Sequence, residues 1–120
     1  MKITKFEDIQ AWQAARELTK RIYTTTNSKS FHKDYGLKDQ IQGSSVSIMA
    51  NIAEGFDRSS NKEFIQFLFY AIASASEVKS HLYVALDLSY ISKEEFQSLY
   101  NQLATISKLI RGFIKYLTNN

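Results

Sequence analysis

No proline interrupts the 120 residues of this chain, and its apolar residues recur at α-helical spacing in four long segments. Proline would end or kink a helix, because it lacks the backbone N–H donor and its ring clashes with the preceding turn. The last segment has the most regular pattern, with apolar residues at alternating steps of four and three, as in knobs-into-holes packing. These residues are Leu99, Leu103, Ile106, Ile110, Phe113 and Leu117. The sequence therefore predicts long helices that cross at shallow angles.

Three residue pairs have the spacing of a capping box, in which a Ser or Thr and a Glu three residues later bond each other's backbone amides. They are Thr4 with Glu7, Ser60 with Glu63, and Ser92 with Glu95. With the periodicity, they predict helices over about residues 5–25, 34–54, 61–88 and 93–117 of one domain spanning residues 1–120. Asp34 or Ser30 would cap the second helix, and the polar residues 24–33 are predicted to form the longest loop. We expect an all-α fold, an antiparallel up-down-up-down four-helix bundle.

The stretch of residues 44–58 is apolar over about half the circumference of a helix, which is more than a surface helix needs. Its opposite side carries small residues such as Gly43 and Ser47 instead of charges, so a neighbouring backbone can come close. This pattern predicts the central helix of the fold. We expect Gly55 to end it in the left-handed conformation that glycine adopts without strain.

The helix predicted over residues 61–88 also has two apolar stripes, whereas a bundle interior accounts for about one stripe per helix. A second stripe left in water would exceed the few hundred Å² of apolar patch that soluble monomers usually tolerate. Closed rotational symmetry would bury it. The sequence therefore predicts a homo-oligomer. The candidate interface residues are Gly43, Ser47, Ile65, Phe69, Ile72 and Tyr83.

The charge balance is mildly basic, with 15 Lys and Arg against 12 Asp and Glu and a net charge of +3. In the last helix, three cations lie at i, i+3 and i+7 on the side opposite the apolar seam. They are candidate phosphate contacts for RNA or DNA, together with three cations of the first helix. A solvated helix face would show the same pattern. The six residues are Lys108, Arg111, Lys115, Arg16, Lys20 and Arg21.

The chain has none of the usual patterns for catalysis or metal binding. Cysteine is absent, which excludes disulfides, thiolate metal sites and cysteine nucleophiles. Glu77 and His81 are one residue too far apart for the Glu-x-x-His motif of di-metal bundles. We expect no enzyme activity, cofactor or metal. With no apolar run of about 18 residues and no signal-peptide pattern, the sequence predicts a soluble cytoplasmic protein that does not enter membranes.

Asn51 and Glu54 lie near the small face of the predicted central helix, and Arg58, four residues beyond Glu54, could pair with it. Polar side chains that are fully buried there would need hydrogen-bonded partners. Two interpretations are open. The three residues could form a polar clasp between the second and third helices or between subunits, or they could form the site of an enzyme or a small-ligand-binding bundle.

The segment N-I-A-E-G, preceded by S-V-S-I and followed by F-D-R-S-S, resembles a known family. Further matches follow in family order: F-E-D-I-Q-A-W-Q-A-A, D-Y-G-L-K-D-Q-I, E-F-I-Q-F-L, A-S-A-S-E-V and L-I-R-G-F-I-K-Y-L. The family comprises bacterial four-helix-bundle proteins encoded in intervening sequences of 23S ribosomal RNA genes. Its relatives include the pentameric accessory protein of diversity-generating retroelements, which works with a reverse transcriptase and binds nucleic acid. The resemblance implies a pentameric scaffold with nucleic acid, or a nucleic-acid enzyme, as its client.

Overall fold

The computed structural model describes residues 3–120, and this part of the chain contains five α-helices, one short 3-10 turn and no strand. The expected all-α class is confirmed. The elements are the turn Phe6–Asp8, α1 (Gln10–Thr26), α2 (Lys29–Lys33), α3 (Tyr35–Phe56), α4 (Asn61–Asp87) and α5 (Lys93–Thr118). The bounds of α3, α4 and α5 lie within two residues of those predicted.

Each long helix packs against two others, so α1, α3, α4 and α5 enclose a shared apolar core. Helix α3 packs on α1 and α4, and α5 packs on α4 and α1. The molecule is elongated, with extents of 46 × 22 × 19 Å. The regular seam of α5 enters this core as predicted, although Phe113 is only half-buried. Its fully buried members are Leu99, Leu103, Ile106 and Ile110.

Helix α1 begins at Gln10, five residues later than predicted. Thr4 and Glu7 form no capping box, and the residue before the helix is Ile9, whose side chain makes no cap hydrogen bond. Ile9 is instead buried in the core, and the Phe6 ring packs edge-on against Trp12 with 5.1 Å between centroids. A cap is worth about 1 kcal/mol, and burying a side chain such as isoleucine about 1.5–3 kcal/mol. Burial of apolar groups therefore decides where the helix starts.

The segment 24–33 is not one long loop, because the short helix α2 occupies its second half. Phe31 is fully buried and packs on the ring of Tyr90, with 5.2 Å between centroids. The Tyr90 hydroxyl donates a hydrogen bond to Asp34 at 2.9 Å, and Asp34 accepts one from the Leu37 amide. The predicted cap at Asp34 is thus confirmed, and it ties the α4–α5 connection to the start of α3.

The serine caps of the other two predicted capping boxes are confirmed. Ser60 accepts a hydrogen bond from the Glu63 amide at 3.2 Å at the start of α4. Ser92 accepts one from the Glu95 amide at 3.0 Å at the start of α5. These signals are local in sequence, which is why they could be predicted without knowing the packing.

Gly55 does not end α3 in a left-handed conformation. It lies within the helix, and none of the glycines in residues 3–120 has a positive φ. Its missing side chain serves packing. A Cβ at Gly55 would lie 2.7 Å from the Cβ of Phe67 and 2.9 Å from a ring carbon of Phe64, both on α4. The glycine is therefore needed because α4 packs too closely against this part of α3 to leave room for a side chain.

Candidate interaction surfaces

A chain of hydroxyl and amide groups joins α3 to α4. The Asn51 amide donates to the carbonyl and hydroxyl oxygens of Ser47, and the Ser47 hydroxyl lies 2.9 Å from that of Ser74 on α4. All three side chains are buried or half-buried. Asn51 is thus linked to α4 through Ser47.

Glu54 and Arg58 form a separate ion pair with 3.2 Å between Arg58 Nη2 and Glu54 Oε1. The two side chains are 57% and 40% exposed, so the pair contributes little to stability. The Arg58 guanidinium also lies over the Phe67 ring of α4, 4.5 Å from its centroid. These contacts link the end of α3 to α4 at the surface and do not join Asn51 in one site.

The structure divides the candidate interface residues into three groups. Ile72 is only 8% exposed and Ser47 is bonded to Ser74, so both serve packing within the chain. Ile65 is half-buried. Phe69 and Tyr83 are about half exposed, and an added Cβ at the exposed Gly43 would meet no atom within 4 Å. Ile72 is thus buried within the single chain, unlike Phe69 and Tyr83 on the same stripe.

An uncharged band covers the outer surface of α3 and α4. Neither residues 40–53 of α3 nor residues 64–76 of α4 include an Asp, Glu, Lys or Arg, and the Ser47–Ser74 contact places the two segments side by side. Val46 and Tyr70 are 39% and 46% exposed within it. Its exposed members include Gly43, Val46, Ala50, Gln66, Tyr70 and Ala73, whereas the exposed Phe69 and Ser76 lie on the side of α4 next to α5 and are not part of the band.

The three predicted cations of α5 are all exposed, but they do not all face the same way. Arg111 lies eleven residues after Tyr100, so both project from the side of α5 next to α4. Lys108 instead lines a cleft between α5 and the start of α1. Lys115 lies one turn beyond Arg111.

The cations of α1 do not extend this surface. Arg21 donates to Ser98 at 2.8 Å and to Gln102 at 3.1 Å, both on α5, so its guanidinium fastens two helices together. Arg16 lies over the Trp12 ring, 5.8 Å from its centroid, and Lys20 is exposed. Sequence reasoning had no way to find the partners of Arg21, which are 77 and 81 residues away.

The cleft between α1 and α5 was not predicted from the sequence. It has a volume of about 450 Å³, and its lining is mainly apolar, including Ile9, Leu109 and Phe113, with Asp8 and Lys108 among the lining residues. It opens where α1 begins late.

A cluster of aromatic rings lies between α4 and α5, and the sequence analysis did not assign it as a unit. Tyr83 of α4 contacts Phe96 and Tyr100 of α5, with ring centroids 4.8 and 6.1 Å away. The ammonium group of Lys79 lies 5.2 Å from the Tyr100 centroid. We call these three rings, Tyr83, Phe96 and Tyr100, the aromatic shelf.

His81 occupies the groove between α3 and α4, where its ring nitrogens lie 3.4 Å from the Ser44 hydroxyl and 3.1 Å from the Gln40 amide oxygen. Residues 3–120 contain no group of three or more His, Cys, Asp or Glu side chains placed to hold a metal ion. In the same range, none of the helices is both long and apolar enough to cross a membrane.

The fold and these surfaces define a class of protein: a small all-helical protein whose main features are surfaces suited to contact with other molecules. A family model described as 23S rRNA-intervening sequence protein matches residues 7–112, and the chain belongs to this family. The resemblance noted in the sequence is confirmed.

The chain is also similar to a crystal structure, at 1.70 Å resolution, of a protein with unknown function from the S23 ribosomal protein family of Bacteroides thetaiotaomicron VPI-5482. The two are 30% identical with a TM-score of 0.79, and the match covers 88% of this chain and 98% of that chain. No curated protein matches this chain.

Proposed function

We propose that the protein is a non-enzymatic scaffold of the cytoplasm that assembles into a homo-oligomer. The observation that carries this proposal is the uncharged band on α3 and α4. Exposed surface without charges over two adjacent helices is typical of faces that are covered in the functional state, because a solvated helix face is normally charged. A second copy of the chain is the simplest partner.

We further propose that each subunit is an antiparallel up-down-up-down four-helix bundle. Asn61 at the start of α4 donates to the Leu117 carbonyl near the end of α5, at 3.4 Å, while Tyr83 near the end of α4 contacts Phe96 near the start of α5. Opposite chain directions for α4 and α5 account for both contacts. The same holds for α3 and α4, where Gly55 faces Phe67 and Gln40 contacts His81.

The number of subunits we propose is five, on the family resemblance alone. Light scattering at micromolar concentration tests both statements: a mass near five times the 13.8 kDa of the chain supports the pentamer. A stable dimer or hexamer would remove the pentamer and keep the oligomer. A mass near 13.8 kDa would remove both.

A matched pair of variants tests whether the uncharged band is the interface. Ala50→Arg places a charge in the middle of the band on α3, whereas Ala104→Arg places the same charge on exposed α5. We expect Ala50→Arg to dissociate the assembly while the helical circular dichroism stays unchanged, and Ala104→Arg to leave the mass unchanged. Equal effects of the two variants would show that the interface lies elsewhere.

The client we propose is RNA, DNA or an enzyme acting on them, contacted through the exposed cations of α5. Each Lys or Arg that neutralises a phosphate releases counterions, so binding should weaken as salt rises. Lys108→Ala, Arg111→Ala and Lys115→Ala should each weaken binding without sequence preference and lower the salt slope by about one unit. If the wild-type protein binds neither RNA nor DNA at about 20 mM salt, direct nucleic-acid contact is excluded.

A further inference from the structure

One side of α4 carries residues spaced alternately four and three apart, and this side overlooks α5. The residues are Ile65, Phe69, Ile72, Ser76, Lys79 and Tyr83. Lys79 and Tyr83 fix its direction, because both contact Tyr100 of α5. Phe69 and Tyr83 are 49% and 50% exposed, so two aromatic rings on this side meet water.

The facing side of α5 is basic. Lys93 precedes Tyr100 by seven residues and Arg111 follows it by eleven, and both spacings return to the same helix face. Both cations are exposed. With Lys79, they place three positive charges along the groove between α4 and α5.

Most nearby acidic side chains point away from this groove. Glu95 accepts a hydrogen bond from Thr25 at 3.3 Å and therefore faces α1. Glu77 lies on the α3 side of α4, because it is spaced three and four residues from Ser74 and His81, which both contact α3. Asp87, one turn beyond Tyr83, marks one end of the groove. The groove itself is a cationic strip that contains exposed rings.

The rings of the aromatic shelf are held in place before any ligand binds. Tyr83 packs on Phe96 at 4.8 Å and on Tyr100 at 6.1 Å, yet half of its surface stays open to solvent. Phe69 lies fourteen residues earlier on the same side, about 21 Å along α4 at 1.5 Å per residue. A ligand that contacts both rings and the cations of the groove must be extended and negatively charged. It must also carry planar groups that repeat along its length.

We propose that the groove between α4 and α5 binds single-stranded nucleic acid, with bases stacked on Tyr83 and Phe69 and phosphates near Lys79, Lys93 and Arg111. This inference rests on the nucleic-acid client proposed above and deepens it. Exposed rings favour single strands, because unpaired bases can stack on aromatic side chains whereas duplex bases are already paired and stacked. Cations alone would not distinguish the two forms.

The experiment measures fluorescence anisotropy with a labelled oligo(U) of about 20 nucleotides and with an RNA duplex of the same length. We expect the wild-type protein to bind the single strand about tenfold more tightly. Since stacking on one ring contributes about 1–3 kcal/mol per base, Tyr83→Leu should weaken oligo(U) binding about fivefold or more and leave duplex binding unchanged. Tyr83→Trp keeps a stacking surface and should retain the affinity.

Two controls separate stacking from other effects. Tyr23 on α1 is 46% exposed and lies on another helix, so Tyr23→Leu should not change oligo(U) binding. Arg111→Ala should weaken the binding of both probes and reduce the salt slope. Light scattering of Tyr83→Leu should show the wild-type mass.

The results that would overturn the inference differ from those that would overturn the proposed client. Equal affinity for both probes, with no effect of Tyr83→Leu, would overturn the stacking groove and leave phosphate contact intact. If Tyr83→Leu loses both the oligomer and oligo(U) binding, Tyr83 belongs to the subunit interface, and this result would also overturn the groove. Absence of any binding by the wild-type protein at about 20 mM salt would remove the nucleic-acid client as well.

Discussion

Gly55 and Gly112 both lie inside helices, yet an added methyl group would meet different surroundings at each. At Gly55 it would lie 2.7 Å from Phe67 Cβ, whereas at Gly112 it would meet no atom within 4 Å. Alanine gains up to about 1 kcal/mol of helix propensity over glycine, but overpacking costs about 1–3 kcal/mol. We therefore expect Gly55→Ala to lower the free energy of unfolding by about 1–2 kcal/mol and Gly112→Ala to raise it by up to about 1 kcal/mol. Denaturant titration checks both, and stabilisation by Gly55→Ala would contradict the close contact.

Tyr90 gives stability a pH dependence at the alkaline end. The hydrogen bond that its hydroxyl donates to Asp34 raises the pKa of Tyr90 above the ordinary value of 10.0, and burial and the Asp34 charge act in the same direction. The folded state thus holds a proton that the unfolded chain releases first. This stabilisation is complete below about pH 10 and is lost as the pH rises through the raised pKa.

Tyr90→Phe should therefore be less stable than the wild-type protein at about pH 8, and the difference should shrink towards about pH 11. Urea titrations of the two proteins across this range measure it. A difference that stays constant with pH would show that the Tyr90–Asp34 bond does not form in solution.

At the scale of elements, the seam of α5 should dominate stability. Ile106 is fully buried, so Ile106→Ala removes apolar burial and leaves a cavity, and we expect a loss of about 2–5 kcal/mol. Ile114, two turns on, is only half-buried, and Ile114→Ala should cost clearly less. A loss below about 0.5 kcal/mol for Ile106→Ala would mean that the site collapses around the missing atoms.

The elements that the sequence predicted well are those set by local chemistry. Ser60, Ser92 and Asp34 cap their helices because the acceptor and the amide lie three residues apart, and the seam of α5 follows from periodicity alone. The start of α1 and the fold of residues 24–33 depend on Ile9 and Phe31 entering a core built from distant helices. Those contacts are not visible in a local pattern.

The same contrast between local patterns and distant contacts applies to the candidate surfaces. Exposure of Phe69 and Tyr83 agrees with the second apolar stripe, but the burial of Ile72 depends on how closely α5 covers α4. Arg21 was grouped with the cations because its charge is visible in sequence, whereas its partners Ser98 and Gln102 are not. Contacts between residues far apart in the sequence decide the surroundings of the candidate site residues. The site was therefore harder to predict than the fold.

For the whole molecule, Gly43 distinguishes an exposed face from a subunit contact. In the single chain nothing lies within 4 Å of a Cβ at this position, so Gly43→Ala should stabilise an isolated subunit as Gly112→Ala does. If Gly43 is where two subunits approach closely, the same variant should weaken the assembly. We expect the second result, measured as a higher concentration at the midpoint of dissociation by light scattering. An unchanged midpoint would place Gly43 outside the interface.

The contact between Gly55 and Phe67 also constrains how this sequence can diverge. A larger residue at position 55 is tolerable only if position 67 becomes smaller or the two helices separate, since Phe67 meets the missing methyl group through its backbone-fixed Cβ. Among natural relatives, the two positions should thus change together, with glycine retained wherever an aromatic residue remains opposite. Arg58, whose guanidinium lies over the Phe67 ring, belongs to the same linked set. We therefore expect stable relatives to differ at several of these three positions at once. A substitution at only one of them should give a less stable protein.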